Sequence, residues 1–347
     1  MSSEKTGVRE PKTFFPGSNT CAGFIGFFEE LQRQARRTVI LKGGPGVGKS
    51  TLMRETAKRW QGQGMTVTCY RCSGDPDSLD AVFAEELGFL VLDGTAPHVI
   101  DPQCPGAADG ILNLGVCLRE EILREQRDLI QDIQREIAGC YARAYRCLAA
   151  AERFRADAAA VYESALPEEK RRETEDALFD LLPKGPEGGC RHLFAQAVTC
   201  QGILQCPDAL TAENVVSLDV PWGFDMHALM LPLLREAQRR HAAVTVYADP
   251  LDAGKIGHLA VGNTLFTSAV LLDARTLSPG FDRERLAKAG STLAFDKAVY
   301  ELALHQAVEA LADAKQCHDR LERVYIDAMD YAVLRAVRQE FLDSLPD

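Results

Sequence analysis

The glycine-rich run from Gly43 to Thr51 narrows the choice of architecture more than any other part of this sequence. A short β-branched segment, Thr38–Leu41, precedes the run and predicts a buried strand. The residues from Thr51 to Trp60 contain neither proline nor glycine, and they predict a helix. Strand, glycine loop and helix in this order are typical of α/β domains, in which helices cover the faces of a parallel sheet.

The loop itself has the spacing Gly-x-x-x-x-Gly-Lys-Ser. Backbone N–H groups of such a loop can point inward at phosphate oxygens, and the dipole of the following helix favours an anion there. In this pattern Lys49 contacts the outer phosphates and the Ser50 hydroxyl ligates Mg²⁺. The sequence therefore predicts a nucleotide site that uses magnesium. The predicted contacts are Gly43, Gly44, Gly46, Val47, Gly48, Lys49, Ser50 and Thr51.

A second apolar segment, Phe89–Asp93, predicts a strand that ends in a carboxylate. Strands of this kind supply an aspartate to the magnesium shell beside a phosphate-binding loop, so Ser50 and Asp93 are the predicted metal ligands. A strand-terminal aspartate that only caps a turn is the alternative. No glutamate follows Asp93, so a base that orients water must come from another segment.

Two further carboxylates, Asp75 and Asp77, follow the predicted strand Met65–Cys72 at the carboxyl edge of the sheet, where ligands bind. Either can orient water or accept a proton from a substrate hydroxyl. An Asp-Pro turn, with Ser78 as the cap of a following helix, explains the same composition equally well. The predicted catalytic residues are Lys49, Asp93, Asp75 and Asp77.

Three more polar side chains are weaker candidates. His98 can sense the outer phosphate or titrate near neutrality, although an ordinary surface histidine is the simpler interpretation. Arg143 and Arg146 can contact phosphate only if the helix that carries them folds back over the loop.

Composition argues against several classes of protein. The 347-residue chain has a formal net charge of −11, which opposes general affinity for nucleic acid or acidic membranes. The N-terminus lacks the apolar core of a signal peptide, and no apolar run approaches the ~20 residues that span a bilayer. Among 11 cysteines only Cys69 and Cys72 have metal-ligand spacing, and free thiols explain them better. We expect a cytoplasmic protein.

The two halves of the chain match each other in order, at a nearly constant spacing, and so predict an internal duplication. The matched sets are Phe15, Thr20, Cys21, Gly23 and Leu31 with Phe194, Thr199, Cys200, Gly202 and Leu210; Val67–Tyr70 with Val244–Tyr247; and Leu92–Asp93 with Leu272–Asp273.

The duplication predicts two tandem three-layer α/β/α domains with parallel sheets, each of the P-loop NTPase kind. The first domain spans residues 1–165, a linker spans 166–190 and the second domain spans 191–347. The first half is expected to hold a helix over Ala22–Arg36, capped by Asn19 or Thr20, before the loop. Long helices are expected between Gly106 and Leu166, broken near Gly139, and again from Ser291 to Leu342. The strands are expected over Thr38–Lys42, Met65–Cys72 and Gly88–Asp93.

The second copy of the loop has lost the side chains that contact nucleotide. In the register of the duplication, Met226 replaces Lys49, His227 replaces Ser50, and Asp225 stands where a glycine approaches phosphate. The Asp225 carboxylate would repel a phosphate. We therefore expect one nucleotide per chain and a structural or regulatory second domain.

The chain resembles a bacterial family of duplicated P-loop proteins described as predicted ATPases or nucleotide kinases. The resemblance rests on the segments Lys42–Thr51, Cys72–Asp80, Leu92–His98 and Arg191–Phe194, and it covers nearly the full length. It implies a fold and a nucleotide ligand without specifying a reaction.

Three functions remain open at this point. The first is an ATPase that binds Mg²⁺ and ATP and uses hydrolysis to switch the arrangement of its domains or of a protein partner. The second is a small-molecule or nucleotide kinase, which Asp75 and Asp77 would favour. The third is a nucleotide-dependent binding module with negligible turnover. ATP is preferred to GTP because no Asn-Lys-x-Asp segment follows the third strand.

Overall fold

The structure is a computed structural model that describes residues 10–183, 187–271 and 273–346. Within these ranges the chain is an α/β protein with two six-stranded mixed sheets and two hairpins of two strands each. Lys184, Gly185 and Pro186 of the predicted linker, and Leu272 of the third matched set, lie outside the described residues.

The first half contains strands β1 to β8 and helices α1 to α5. In chain order they are β1 (Lys12–Phe14), β2 (Gly17–Thr20), β3 (Gly23–Gly26), α1 (Phe28–Gln34), β4 (Arg37–Lys42), α2 (Lys49–Gly62), β5 (Val67–Arg71), β6 (Leu79–Ala84), β7 (Phe89–Asp93), β8 (Asp109–Asn113), α3 (Glu120–Glu125), α4 (Arg127–Ala165) and α5 (Glu168–Asp180).

The second half contains strands β9 to β16 and helices α6 to α8. In chain order they are β9 (Cys190–Leu193), β10 (Gln196–Thr199), β11 (Gly202–Gln205), β12 (Asn214–Leu218), α6 (His227–Arg239), β13 (Val244–Ala248), β14 (Ile256–Val261), β15 (Thr264–Thr267), β16 (Arg275–Leu277), α7 (Arg283–Asp327) and α8 (Tyr331–Asp343).

The two large sheets have the same strand order. The first runs β1-β5-β6-β7-β4-β8, and the second, read from its other edge, runs β9-β13-β14-β15-β12-β16. In both sheets the third strand is antiparallel to its two neighbours and the other pairings are parallel. The prediction of purely parallel sheets was therefore wrong. The connection from Arg71 to Leu79 is too short for a parallel crossover, so the chain can only return antiparallel.

The chain folds into two compact units that interleave along the sequence. Within the described residues, the first unit holds 10–16, 26–141 and 311–346, and the second holds 17–25 with the described part of 142–310. The long helices α4 and α7 each contribute to both units. The boundaries predicted at residues 165 and 191 follow the sequence repeat, whereas these units divide the chain elsewhere.

Each unit buries its own apolar core. In the first unit, Leu52, Met53 and Trp60 of α2 pack with strand residues such as Val91 and with Phe341 of α8. In the second unit, a corresponding cluster joins α6 to the sheet and to α4 and α5. It includes Tyr162, Leu178, Leu229, Met230 and Leu233. Buried side chains therefore hold the start of α2 in the first unit and the start of α6 in the second.

The helix predicted over Ala22–Arg36 was wrong in its first half. The hairpin β2–β3 occupies this segment, and α1 is confined to Phe28–Gln34. Thr20 Oγ1 accepts from the Ala22 N–H at 3.1 Å and donates to the Gly23 carbonyl at 2.7 Å, while Gly23 has a φ of 104°. A turn with a glycine at positive φ does not continue as an α-helix, so no helix begins at Ala22. The matched pair Thr199 and Gly202 forms the same turn in β10–β11.

The long helices also differ in detail from the prediction. Helix α4 passes through Gly139 without a break. The C-terminal segment forms two helices, because the Asp330 carboxylate accepts from the N–H groups of Ala332 and Val333 and caps α8. Residues of the predicted linker form α5. Among the described residues, no helix is both long enough and apolar enough to cross a bilayer.

Candidate functional site

The glycine loop joins β4 to α2 in the first unit. Gly43, Gly46 and Gly48 have φ values of 149°, 72° and 87°, which side chains disfavour. A Cβ on Gly43 would lie 2.9 Å from Cγ2 of the buried Val47, whereas one on Gly48 would meet no atom within 4 Å. Gly48 caps the N-terminus of α2. The loop therefore needs its glycines for its shape and leaves space at the positive end of the helix dipole.

Lys49 and Asp93 face each other beside this loop. The distance from Lys49 Nζ to Asp93 Oδ2 is 3.6 Å, and the side chains are 11% and 14% exposed. Lys49 Nζ also donates to the carbonyl of Gly44 at 3.0 Å. The two side chains meet because β4 and β7 pair in parallel with Leu41 opposite Asp93. The structure thus brings together two of the four residues predicted to be catalytic.

The two predicted metal ligands already hold hydrogen bonds that fix their oxygens. Ser50 Oγ accepts from the Leu79 N–H at 3.0 Å. Asp93 Oδ1 accepts from the N–H and the hydroxyl of Thr95 at 2.9 and 2.6 Å. Asp93 therefore caps a turn with one oxygen and faces Lys49 with the other, which confirms the turn-capping interpretation, while its role as a metal ligand stays a prediction. Thr51 is exposed in the first turn of α2.

These oxygen ligands and backbone N–H groups are of the kinds that suit a nucleotide with magnesium. A serine hydroxyl and a carboxylate are hard oxygen ligands of the kind that Mg²⁺ binds through one or two protein groups. The backbone at a helix N-terminus and a nearby lysine are suited to phosphate. Ser50 retains a second lone pair, and Asp93 Oδ2 accepts no hydrogen bond from Thr95.

The structure places Asp75 and Asp77 in the turn between β5 and β6. Asp75 Oδ2 accepts from the Ser78 hydroxyl at 2.9 Å and lies 3.7 Å from Nζ of Lys315 in α7. Asp77 is exposed, and its backbone carbonyl accepts from the guanidinium of Arg54. The proposal that Ser78 caps a helix was wrong, because strand β6 follows it.

His98 is buried, so its interpretation as a surface histidine was wrong. Its side chain is 6% exposed, and Nε2 lies 3.5 Å from Oδ1 of Asp80, which is 7% exposed. The imidazole stacks on the ring of Phe28, with centroids 4.2 Å apart and planes 19° apart. The backbone N–H of His98 donates to the backbone carbonyl of Thr95 at 3.1 Å. Sequence reasoning missed this pair, although a carboxylate within the apolar segment Leu79–Ala84 was the signal.

Burial and the Asp80 carboxylate act in opposite directions on His98. Burial alone lowers the pKa of His98, but attraction and hydrogen bonding by Asp80, with a smaller effect of Asp93, raise the pKa overall. The thiol of Cys72 also lies near Asp80, and burial raises the pKa of Cys72 well above its usual value. Burial similarly raises the pKa of Cys69 to about 11. Such neutral thiols are poor metal ligands, and both cysteines are free.

The last turns of α7 pack on the outside of the glycine loop. A Cβ placed on Gly44 would lie 2.5 Å from the ring of Tyr325, and one on Gly46 would lie 3.0 Å from Ile326 Cγ1. The segment after α7 is anchored in the same unit, because the Asp330 N–H donates to the Cys117 carbonyl at 2.7 Å. No local sequence pattern links α7 to the loop, because the two are far apart in the chain.

The second loop has a carboxylate at the start of its helix. Asp225 Oδ1 accepts from the N–H of His227, the first residue of α6, at 3.0 Å. Asp225 Oδ2 lies 3.4 Å from Nζ of Lys255. Met226, at the lysine position, is buried in the core. His227 Nδ1 accepts from the Ile256 N–H at 3.2 Å, just as Ser50 accepts from Leu79. The Asp225 carboxylate thus accepts from the first N–H of α6 and faces a lysine.

The third matched set has a different register in the structure. Strand β15 pairs with β12 so that Thr267 lies opposite Ser217, which puts the next residue, Ser268, in the place of Asp93. Asp273 lies outside the strands, with a φ of 62°. The match of Asp93 with Asp273 was therefore wrong, and the second unit has no carboxylate at this strand end.

Arg143 and Arg146 do not belong to the unit that holds the glycine loop. Both are exposed on the part of α4 that the second unit contains, and Arg143 donates to Oε1 of Gln306 at 2.9 Å.

No protein-family model, curated protein or solved structure matches the chain.

Proposed function

We propose that this chain is a magnesium-dependent ATP-binding protein of the P-loop NTPase kind, and that it hydrolyses ATP. The observation that carries the proposal is the position of Lys49, at the start of α2 behind a left-handed glycine loop and 3.6 Å from Asp93. A lysine at the start of this helix and an aspartate at the end of the adjacent parallel strand are the charges that phosphoryl chemistry requires.

The chain supplies a residue for each part of such a site. Backbone N–H groups of the loop from Gly43 to Gly48 would bind the phosphates, and Lys49 would contact the outer ones. Ser50 and Asp93 would hold Mg²⁺, which neutralises phosphate charge when it is bound. The buried side chain of Val47 holds the loop in place. Because the second loop contains Asp225, binding would be limited to about one nucleotide per chain.

The surroundings of the site favour hydrolysis over transfer to a small molecule. A kinase of the predicted type would use Asp75 or Asp77 as its base, yet Asp75 is engaged by Lys315 and Ser78. Helix α7 is continuous from Arg283 to Asp327, and its parts belong to different units. Its end contacts the glycine loop. A helix that contacts the loop is suited to respond to the state of the loop, as an ATPase switch requires.

Release of inorganic phosphate from ATP tests this proposal. The wild-type chain is expected to release phosphate with Mg²⁺ and to stop when EDTA removes the metal. Lys49→Ala should lower the rate by roughly 10²-fold, because it removes a charge that stabilises the transition state. Lys58→Ala, on an exposed position of the same helix, is the matched control and should keep the wild-type rate.

Three results would contradict the proposal. Equal phosphate release by Lys49→Ala and Lys58→Ala would show that the loop does not act on nucleotide. Formation of ADP without free phosphate, only when pooled metabolites are added, would identify a kinase instead. Binding of ATP without any turnover would favour the third function, a nucleotide-dependent binding module.

A further inference from the structure

We infer that His98 and Asp80 form a positioning pair that makes nucleotide binding in this site depend on pH. The inference rests on the proposed function and adds a regulatory property to the same site. It starts from a buried imidazole and carboxylate, 3.5 Å apart, that neither the phosphate contacts nor the metal ligands require.

The pair lies between the backbone segments that hold the two predicted metal ligands. Asp80 directly follows Leu79, whose N–H donates to Ser50 Oγ. The His98 N–H donates to the carbonyl of Thr95, and Thr95 donates twice to Asp93. The pair therefore joins the segment behind Ser50 to the turn that holds Asp93. A change in its charge can act on Ser50 through the Leu79 N–H and on Asp93 through the Thr95 turn.

The groups that face the imidazole come from four elements. Asp80 lies on β6, Asp93 at the end of β7, and the Cys72 thiol follows β5 next to Asp80. Helix α1 contributes the ring of Phe28. Lys49 Nζ lies 3.6 Å from Asp93 Oδ2. Protonated His98 neutralises Asp80 within this group, and the stacked Phe28 ring fixes the plane of the imidazole.

Loss of the proton leaves a buried carboxylate beside a site for a polyanion. The charge of Asp80 is then no longer balanced, and it repels phosphate bound at the loop. A unit charge about 10 Å away at an effective dielectric constant of about 20 changes an affinity by roughly tenfold. Nucleotide affinity should therefore be high while His98 is protonated and fall as pH rises through its pKa, which Asp80 holds above the usual value.

The test is the dissociation constant of ATP, measured by calorimetry between pH 6 and 8.5 in EDTA and again with Mg²⁺. ATP itself titrates near pH 6, so variants are compared at each pH. His98→Gln should bind about tenfold more weakly than wild type at pH 6 and equally at pH 8.5. His305→Gln, an exposed histidine on α7, is the control and should follow the wild type throughout.

Asp80→Asn separates a charge effect from a loss of structure. This variant removes the carboxylate that the imidazolium neutralises, so its affinity should stay high at pH 8.5, where wild-type affinity has fallen. A merely structural role would weaken binding in both variants at every pH. That result, or a constant ratio between wild type and His98→Gln, would overturn the inference.

A second measurement needs no variant. In proton NMR of the wild-type chain, which has 7 histidines, one imidazole signal should titrate above the usual pKa. Metal-free ATP should raise that pKa further, because a bound polyanion favours the protonated form. If no imidazole pKa moves although ATP binds, the inference fails and the proposed function stands. If ATP does not bind at any pH, the proposed function itself fails.

Discussion

Substitution of Gly44 by alanine tests whether α7 packs on the glycine loop. Gly44 does not have a left-handed φ, so alanine brings no backbone strain, but its Cβ would lie 2.5 Å from two ring carbons of Tyr325. Carbon atoms in contact are normally about 3.5–4.0 Å apart, so the ring or the loop must move by roughly 1 Å. Overpacking of this kind costs about 1–3 kcal/mol of the free energy of unfolding.

The assay is urea unfolding followed by the fluorescence of Trp60, in a Trp222→Phe background. Trp60 lies in the core of the first unit and Trp222 against that of the second, so the signal reports the unit that holds the loop. Gly44→Ala should cost about 1–3 kcal/mol in this background but less than about 0.5 kcal/mol when Tyr325→Ala removes the ring.

Gly48→Ala is the matched control for this prediction. Gly48 has a φ of 87° and no atom near its added Cβ, so alanine costs about 1–2 kcal/mol through backbone strain alone. That cost should be the same with and without Tyr325. If Gly44→Ala costs equally much in both backgrounds, the contact between α7 and the loop does not exist.

Two further predictions concern Asp93, the proposed metal ligand, and the buried His258. Asp93→Asn keeps an acceptor for Thr95 but loses the charge that faces Lys49, so phosphate release should collapse while calorimetry in EDTA still detects nucleotide binding; an unchanged rate would leave Asp93 as a turn cap alone. Burial lowers the pKa of His258 to about 4, below the value of the unfolded chain, so protons favour unfolding and stability is lost as pH falls from about 6.5 toward 4. In urea unfolding, the free energy of unfolding of His258→Gln should fall by about 1.4 kcal/mol less per pH unit than that of the wild type across this window. Parallel pH profiles of the two proteins would refute the assignment of this pH dependence to His258.

The parts of the site that depend on local sequence could be predicted. The glycine loop, its strand and its helix are encoded by adjacent residues, and the structure has β4 and α2 where the pattern indicated. The meeting of Asp93 with Lys49 could be predicted as well, because neighbouring parallel strands end at one edge of a sheet. Local patterns and strand order were sufficient for these features.

The other features depend on contacts that no local pattern contains. The segment Gly23–Gly26 was predicted as part of a helix that begins at Ala22, but the Thr20 turn makes it a strand. Strand β6 was not predicted, because Asp80 interrupts its run of apolar residues. The Asp80 carboxylate is buried because it faces His98, which lies in the connection between β7 and β8. The contact of Tyr325 with Gly44 joins opposite ends of the chain.

Calorimetric titration of Mg-ATP into the full-length chain tests the central claim most directly. The first loop has Lys49 and Ser50, whereas in the second the Asp225 carboxylate accepts from the N–H at the start of α6. We therefore predict about one nucleotide per chain, with binding lost in Lys49→Ala and kept in Lys58→Ala. A stoichiometry near two, or equal affinity in Lys49→Ala and the wild type, would contradict the assignment of the nucleotide site to the first loop.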